Sequence, residues 1–233
     1  MKHYERAWAE IDLDALQFNI ESIKNSIDKA AKIIAVIKTD GYGHGAIQIA
    51  RILEEEEQVW GYAVATAEEA FSLRDARIQK PILILGYTFP YSYGQIIEEE
   101  VRSTVFTYET AKELSDLAVT AGKDCRIHIK IDTGMTRIGI HPDDEGMALI
   151  RKISGLPGLQ IEGIFTHFAT ADEADRTKTY HQMTLFKEYA DRVDDELGIR
   201  IPMRHCSNSA GIAEIPEANM DAVRAGIILY GLW

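Results

Sequence analysis

Ile33-Ile34-Ala35-Val36-Ile37-Lys38-Thr39-Asp40-Gly41-Tyr42-Gly43-His44-Gly45 is the stretch on which the fold turns. Its apolar half is short and bounded by a turn signal. It reads as a strand buried on both faces, the kind that parallel sheets use. The run ends on Lys38, and a glycine-rich turn follows. A lysine at the dry mouth of a parallel sheet is suited to act as an amine nucleophile. Glycines beside it let backbone N–H groups approach an anion such as phosphate.

Upstream, Leu13, Leu16, Ile20, Ile23 and Ile27 recur at three- and four-residue intervals, which predicts an amphipathic helix over 12–29 with Asp12 as its N-cap. Residues Arg6 to Ile11 form a surplus strand-like piece before it. Downstream, Ala46, Ile49, Ala50 and Leu53 mark a second helix that runs into Glu54–Glu57, a solvated acidic face. The alternation then continues, with strands over 59–65, 81–85, 101–106, 125–131, 159–165, 202–206 and 221–224. Helices are expected over 66–76, 91–99, 108–121, 143–153 and 173–197. Counted from Ile33 this gives about eight β segments, which predicts an α/β (β/α)8 TIM barrel of parallel strands in one domain, residues 1–233. A doubly wound open sheet is the alternative.

The chain is long enough, at 233 residues, to bury a core without disulfide staples. Its formal net charge of −12 argues against nucleic acid or an anionic membrane surface as partner. No apolar run reaches the roughly 18 residues of a membrane span. Cys125 and Cys206 both lie in apolar strand-like runs, and the simplest setting for them is a reducing cytoplasm.

In a parallel barrel, reactive groups sit at the carboxyl ends of the strands. The unusual polar residues of this chain cluster there: Lys38, Lys130, Asp132, Arg137, His167, Ser207, Asn208, Ser209, Arg224 and Gly226 all end or follow strands. Loops after the last two strands often bind phosphate, so Ser209 and the N–H groups of Gly226-Ile227 are candidate donors. Closing the barrel would bring Lys38 next to them. A lysine nucleophile beside a phosphate site suggests Schiff-base chemistry, with pyridoxal phosphate as one natural occupant. His3, His128, His141, His181 and His205 have no distinguishing context and read as structural. No Cys and His spacing matches a zinc site. Asp132-Thr133-Gly134 copies an aspartic-protease triplet, but such enzymes need two aspartates sharing a site. The glycine-rich turn lacks the G-x-G-x-x-G spacing of a dinucleotide fingerprint.

The run Val36 to Gly45 resembles the pyridoxal-phosphate attachment segment of alanine racemases. Further similar segments follow in the family's order: Arg6-Ala7-Trp8 through Asn19, Lys130 to Gly139, Thr166-His167-Phe168-Ala169, His205 to Ala210 and Arg224 to Gly231. Thr39 and Gly41 depart mildly from the small residues usual in the family. The resemblance implies that Lys38 carries pyridoxal 5'-phosphate as a Schiff base and serves as one of two bases. It implies that Tyr42, Ser209, Gly226 and Ile227 hold the phosphate, with Asn208 beside them. Arg224 would face the pyridine nitrogen, supported by His167, and Arg137 would reach the phenolic oxygen and the substrate carboxylate. Lys130 matches a position often carbamylated.

The substrate implied is a small amino acid, alanine or its close relative serine, with no metal. The family also has a second, mostly β domain whose tyrosine reaches the partner subunit's site, and it works as a homodimer. This chain ends at Trp233, where that domain would begin, so the resemblance is to the N-terminal barrel alone, expected to bind cofactor and to racemise poorly. A single-barrel pyridoxal-phosphate-binding homeostasis protein and a class I aldolase remain open alternatives.

Overall fold

A computed structural model describes residues 7–232; Met1–Arg6 and Trp233 lie outside the described residues, and with them His3 and Arg6. The strands are β1 (Lys32–Val36), β2 (Val59–Val64), β3 (Ile82–Ile84), β4 (Arg102–Val105), β5 (Cys125–Lys130), β6 (Leu159–Phe165), β7 (Met203–His205) and β8 (Ala222–Ala225). All their pairings are parallel, in the order β7-β6-β5-β4-β3-β2-β1-β8. Sequential order with β1 beside β8 is the winding of a (β/α)8 barrel, and it rules out the doubly wound alternative, whose order reverses.

The helices are α1 (Leu13–Ser26), the short turn α2 (Lys38–Tyr42), α3 (Ala46–Leu53), α4 (Ala67–Asp75), α5 (Tyr93–Glu98), α6 (Tyr108–Ala121), α7 (Asp144–Ser154), α8 (Thr177–Leu197) and α9 (Ser209–Glu214). Caps fix several starts. Asp12 accepts from the N–H groups of Asp14 and Ala15, and Thr66 and Glu69 form a capping box at α4. Two expectations are corrected, and one helix is new. Residues 7–11 form no strand. The helix expected over 173–197 begins only at Thr177, because Thr170 to Arg176 make turns instead. α9 had no periodic signal, being six residues long and set by the Asn208 cap.

β7 and β8 are the seam. No ladder joins them; the Arg224 N–H donates to the Ser207 carbonyl at 3.0 Å and the Arg204 N–H donates to Asp221 Oδ2 at 2.8 Å. The Arg224 side chain completes the seam by donating to the carbonyls of His205 and Cys206, both at 3.0 Å. α1 covers the joint outside, where Asn19 Nδ2 donates to the Leu229 carbonyl at 3.1 Å.

Two separate apolar regions result. The larger fills the sleeve between strands and helices, with Ile20, Ile33, Ile49, Leu73, Ile127, Phe186 and Leu229 among its members. The smaller lines the lumen: Ile34, Val36, Ala63, Met203 and Ala222. The remaining lumen space is filled by polar side chains, because Arg224 pairs with lumen-facing Ile34 and His205 stacks on Phe165 with ring centroids 4.8 Å apart. Barrel interiors are usually layers of branched apolar residues, so this lumen is chemically unusual.

Gly163 makes room for it. A Cβ there would stand 2.4 Å from Nδ1 of His128. Gly163→Ala should therefore displace the His128 ring and cost about 1–3 kcal/mol of stability, the usual toll of overpacking. Urea melts and the His128 ring resonances check this; an unshifted ring and an unchanged midpoint would contradict the packing described.

Candidate active site

Lys38 follows β1 directly, and the turn it opens is left-handed. Thr39 (φ 53°, ψ 49°), Asp40 (φ 52°, ψ 49°) and Gly41 (φ 60°, ψ 44°) lie in the left-handed region, and Tyr42 joins them at φ 54°. Only Gly41 adopts this without penalty; each L residue loses about 1–2 kcal/mol there. The sequence reading expected a glycine turn and missed this strain. Local bonds hold it. Asp40 Oδ1 accepts from the Ala46 N–H at 2.8 Å, Glu69 Oε1 from the Thr39 N–H at 2.7 Å, and Asp40 O from the Gly45 N–H at 2.8 Å. Concentrated backbone strain beside a candidate nucleophile is a mark of functional sites. Lys38 Nζ sits 5.7 Å from the centre of the Tyr42 ring.

The expected anion site assembles on the same rim. Ser209 Oγ accepts from the Gly226 N–H at 3.1 Å and the Ile228 N–H at 3.3 Å. A Cβ on Gly226 would meet both Ser209 Oγ and the Tyr42 hydroxyl at 3.3 Å, so glycine leaves a space into which both hydroxyls point. Tyr42 is backed by Tyr230, ring to ring at 5.1 Å, and Tyr230 donates to the Val36 carbonyl at 3.0 Å. Ile227 is exposed beside the cradle. Asn208 turns its side chain away, capping α9 by accepting from the Gly211 N–H at 3.0 Å. A cleft of about 520 Å³ opens beside Ser209 and Ile227, lined also by Ala210, Glu214 and residues 171–174, and not by Lys38, Tyr42 or Gly226. Another of about 500 Å³, at the opposite end around Arg200 and Arg204, holds none of these residues.

Arg224 is buried in the lumen. Its two Nη groups are fully engaged: Nη1 with His205 O (3.0 Å) and His205 Nδ1 (2.9 Å), Nη2 with Thr166 O (2.7 Å), Cys206 O (3.0 Å) and His167 Nδ1 (3.3 Å). All these bonds run to Nη1 and Nη2; among the described residues none runs to the Nε–H. Burial brings its pKa down to about 10, still cationic near neutrality. His167 is pulled down to about 3, first by burial and then by the charges of Arg224, Arg137, Lys130 and Lys38. Four cations thus act on one neutral imidazole, in a protein of net charge −12.

Lys130 is buried under the Phe165 ring at 5.7 Å and donates to the Ile131 carbonyl at 2.6 Å. Burial, with Arg224 and Arg137 adding to it against the opposing pull of Asp132, lowers its pKa to about 8. Arg137 lies exposed on the loop after β5. Asp132 shapes that loop, its Oδ1 accepting from the N–H groups of Gly134 and Thr136 at 3.0 Å each. The Asp132-Thr133-Gly134 triplet is thus a turn-forming element.

Sequence reasoning passed over His128, His205 and Glu162. His128 Nδ1 stands 2.9 Å from His205 Nε2, and Glu162 Oε2 stands 3.2 Å from His128 Nε2. The available signal was alternation: Arg126, His128 and Lys130 put polar groups at every second position of a strand otherwise read as buried.

Fold and site together define a (β/α)8 barrel whose rim brings hydroxyl and backbone N–H groups together near an amine. The chain belongs to the alanine racemase N-terminal domain family, whose model matches residues 11–233. It is 45% identical over 229 residues to an alanine racemase of Desulforamulus reducens, covering 98% of this chain and 61% of that protein. To one of Clostridium perfringens it is 47% identical over 227 residues, covering 97% and 58%. Among solved structures, the alanine racemase of Clostridium difficile in complex with cycloserine matches at a TM-score of 0.96 and 44% identity, over 100% of this chain and 63% of that one. That of Bacillus anthracis with bound L-Ala-P matches at 0.92 and 36%, over 100% and 60%. The chain spans about three fifths of the length of these relatives. Among the described residues, no helix is long and apolar enough to cross a membrane, and no cluster of three or more His, Cys, Asp or Glu could hold a metal.

The buried histidines give the site a pH signature. His128, His205 and His167 all have folded pKa values below the ordinary 6.5, burial being the first cause for each. The unfolded chain therefore binds more protons, so stability rises with pH below about 6.5 and is lost on acidification. Each such histidine contributes a slope of about 1.4 kcal/mol per pH unit between its two pKa values. For Glu162, burial raises the pKa but hydrogen bonds from His128 and Arg102 outweigh it, holding it at about 2 and adding to the loss below pH 4.5. Urea unfolding from pH 7 to 4.5 should show this fall, and His205→Gln should remove one histidine's share of the slope.

Proposed function

We propose that this chain holds pyridoxal 5'-phosphate at the barrel mouth and that the whole protein uses it to interconvert L- and D-alanine. The observation that carries this is that Lys38 Nζ lies 5.7 Å from the ring of Tyr42, whose hydroxyl faces Gly226 together with Ser209 Oγ, while Arg224 and His167 meet at 3.3 Å in the same barrel. The site fits the cofactor: an amine for its aldehyde, hydroxyls and N–H donors for its phosphate, and the Nε–H of Arg224 for its ring nitrogen. Membership of the alanine racemase family supports the choice of reaction. In this reading residues 1–233 are the cofactor-binding barrel domain of a homodimeric protein.

Pyridoxal phosphate, when bound, supplies a conjugated electron sink that acidifies the α-proton of an amino acid. The remaining work falls to side chains. Lys38 Nζ would hold the cofactor by its aldehyde and would be the base that takes and returns the α-proton on one face of the substrate. The strained turn from Thr39 to Tyr42 fixes where that nitrogen stands. Ser209, Tyr42 and the backbone of Gly226 and Ile227 hold the phosphate, with Asn208 securing the segment that carries Ser209. Arg224, cationic near neutrality, would meet the ring nitrogen and so oppose its protonation. His167, neutral, accepts from Arg224 and adds no further charge. Arg137 is the partner for the substrate carboxylate. Lys130, with its pKa near 8, has a neutral fraction able to add carbon dioxide, releasing one proton and becoming an anion beside Arg137.

The test begins with colour. Mixed with pyridoxal phosphate, the protein should develop a visible absorption band that borohydride bleaches, leaving the adduct on the peptide containing Lys38. Lys38→Ala should give no band and no adduct; an adduct elsewhere would sink the assignment. Ser209→Ala should weaken cofactor binding by about tenfold, the loss of one hydrogen bond to a charged group. A coupled racemase assay on the longer protein, with alanine and with serine, settles the substrate.

A further inference from the structure

The lumen contains a hydrogen-bonded chain whose direction can be read from its ends. At the top, Arg224 Nη1 can only donate, so His205 Nδ1, 2.9 Å away, accepts and carries no proton. The His205 proton is then on Nε2, which donates to His128 Nδ1 at 2.9 Å. The His128 proton is therefore on Nε2 and points at Glu162 Oε2, 3.2 Å away. At the bottom, Glu162 is an acceptor-only carboxylate, gripped by Arg102 through Nε (3.0 Å) and Nη2 (3.2 Å), with Arg126 Nε at 3.8 Å. A donor-only group at one end and an acceptor-only group at the other allow one tautomer for each imidazole.

The rings are also wedged. Phe165 stacks on His205 with planes 5° apart, Trp60 lies 5.7 Å from His128 and 5.7 Å from the Arg102 guanidinium, and Gly163 backs His128 at the clearance already described. The other charged groups facing the chain, Lys130 near His205 and Arg137 near Arg224, are cations and offer no competing acceptor.

We propose that His205, His128 and Glu162 are positioning residues: together they fix the plane of the Arg224 guanidinium so that its Nε–H faces the barrel mouth. The reversed tautomer would set the Nδ1–H of His205 against the Nη1–H of Arg224, two donors in contact, and the guanidinium would turn. A pair of buried histidines that the reaction never touches thus sets the direction of the donor meant for the ligand. The last step, that this donor meets the cofactor's ring nitrogen, rests on the function proposed above.

The experiment uses nitrogen-15 NMR first without cofactor. In the wild-type protein both His205 and His128 should be protonated on Nε2 and not titrate between about pH 5.5 and 8.5, given their burial, and Arg224 Nε–H should give a sharp resonance. His128→Phe, which cuts the chain, should shift or broaden that Arg224 resonance and let His205 populate its other tautomer. His128→Gln, which can still accept from His205 and donate to Glu162, should restore both signals. Glu54→Gln, which removes a structural carboxylate bonded to Tyr62, controls for general destabilisation and should leave them in place. An Nδ1-protonated or freely titrating histidine in the wild type, or an Arg224 resonance indifferent to His128→Phe, overturns the proposal. With pyridoxal phosphate labelled at its ring nitrogen, the same His128→Phe variant should shift the ring-nitrogen resonance and His128→Gln should not. A protein that takes up no pyridoxal phosphate but keeps the tautomer and Arg224 pattern overturns the cofactor assignment and supports the positioning chain.

Discussion

A buried arginine that, among the described residues, has no carboxylate in contact with it is the constraint around which this barrel is organised. Arg224 sits at the one strand junction that has no ladder, and it donates to three backbone carbonyls: Thr166, His205 and Cys206. An unpaired charge in such a place would be severely costly. Here the carbonyl dipoles at the ends of β6 and β7 take the role of counter-charge. The same bonds that satisfy the guanidinium also tie β8 to β7, so closing the barrel and placing the site's central cation are one event.

The consequences spread through the lumen. With Arg224 occupying the place of an apolar layer, its neighbours must be able to accept hydrogen bonds or lie flat against it. His205 and His167 do the first; Phe165 does the second, 5.3 Å from the guanidinium carbon. Partly satisfied polar networks are worse than an apolar core, and a complete one gives a unique arrangement. The run from Arg102 through Glu162, His128 and His205 to Arg224 is complete at every link. The apolar share of the stability is carried outside the strands, in the sleeve between barrel and helices.

On the rim, strain replaces packing as the positioning device. Three L residues in left-handed conformations would unwind if left alone, and side-chain bonds from Asp40 and Glu69 prevent it. Glu69 serves two masters, capping α4 through the Ala65 and Thr66 N–H groups and receiving the Thr39 N–H. The amine of Lys38 is therefore registered against the second βα unit as well as the first.

The sequence by itself determined the alternation of strands and helices, the count of about eight strands, and the fact that Lys38, Arg137, His167, Ser209 and Arg224 all end or follow strands. Period and turn chemistry are local, and local patterns survive in a linear string. It also carried the family signature, spread over most of the chain. What only the tertiary structure decided was contact between residues remote in sequence. His128 and His205 are ordinary in the string because a histidine's role depends on which nitrogen holds the proton, and that is set by groups brought from other strands. The left-handed turn was hidden for a related reason: Thr39, Asp40 and Tyr42 have no preference for that backbone, which bonds to Ala46 and Glu69 impose only after the first two βα units have packed.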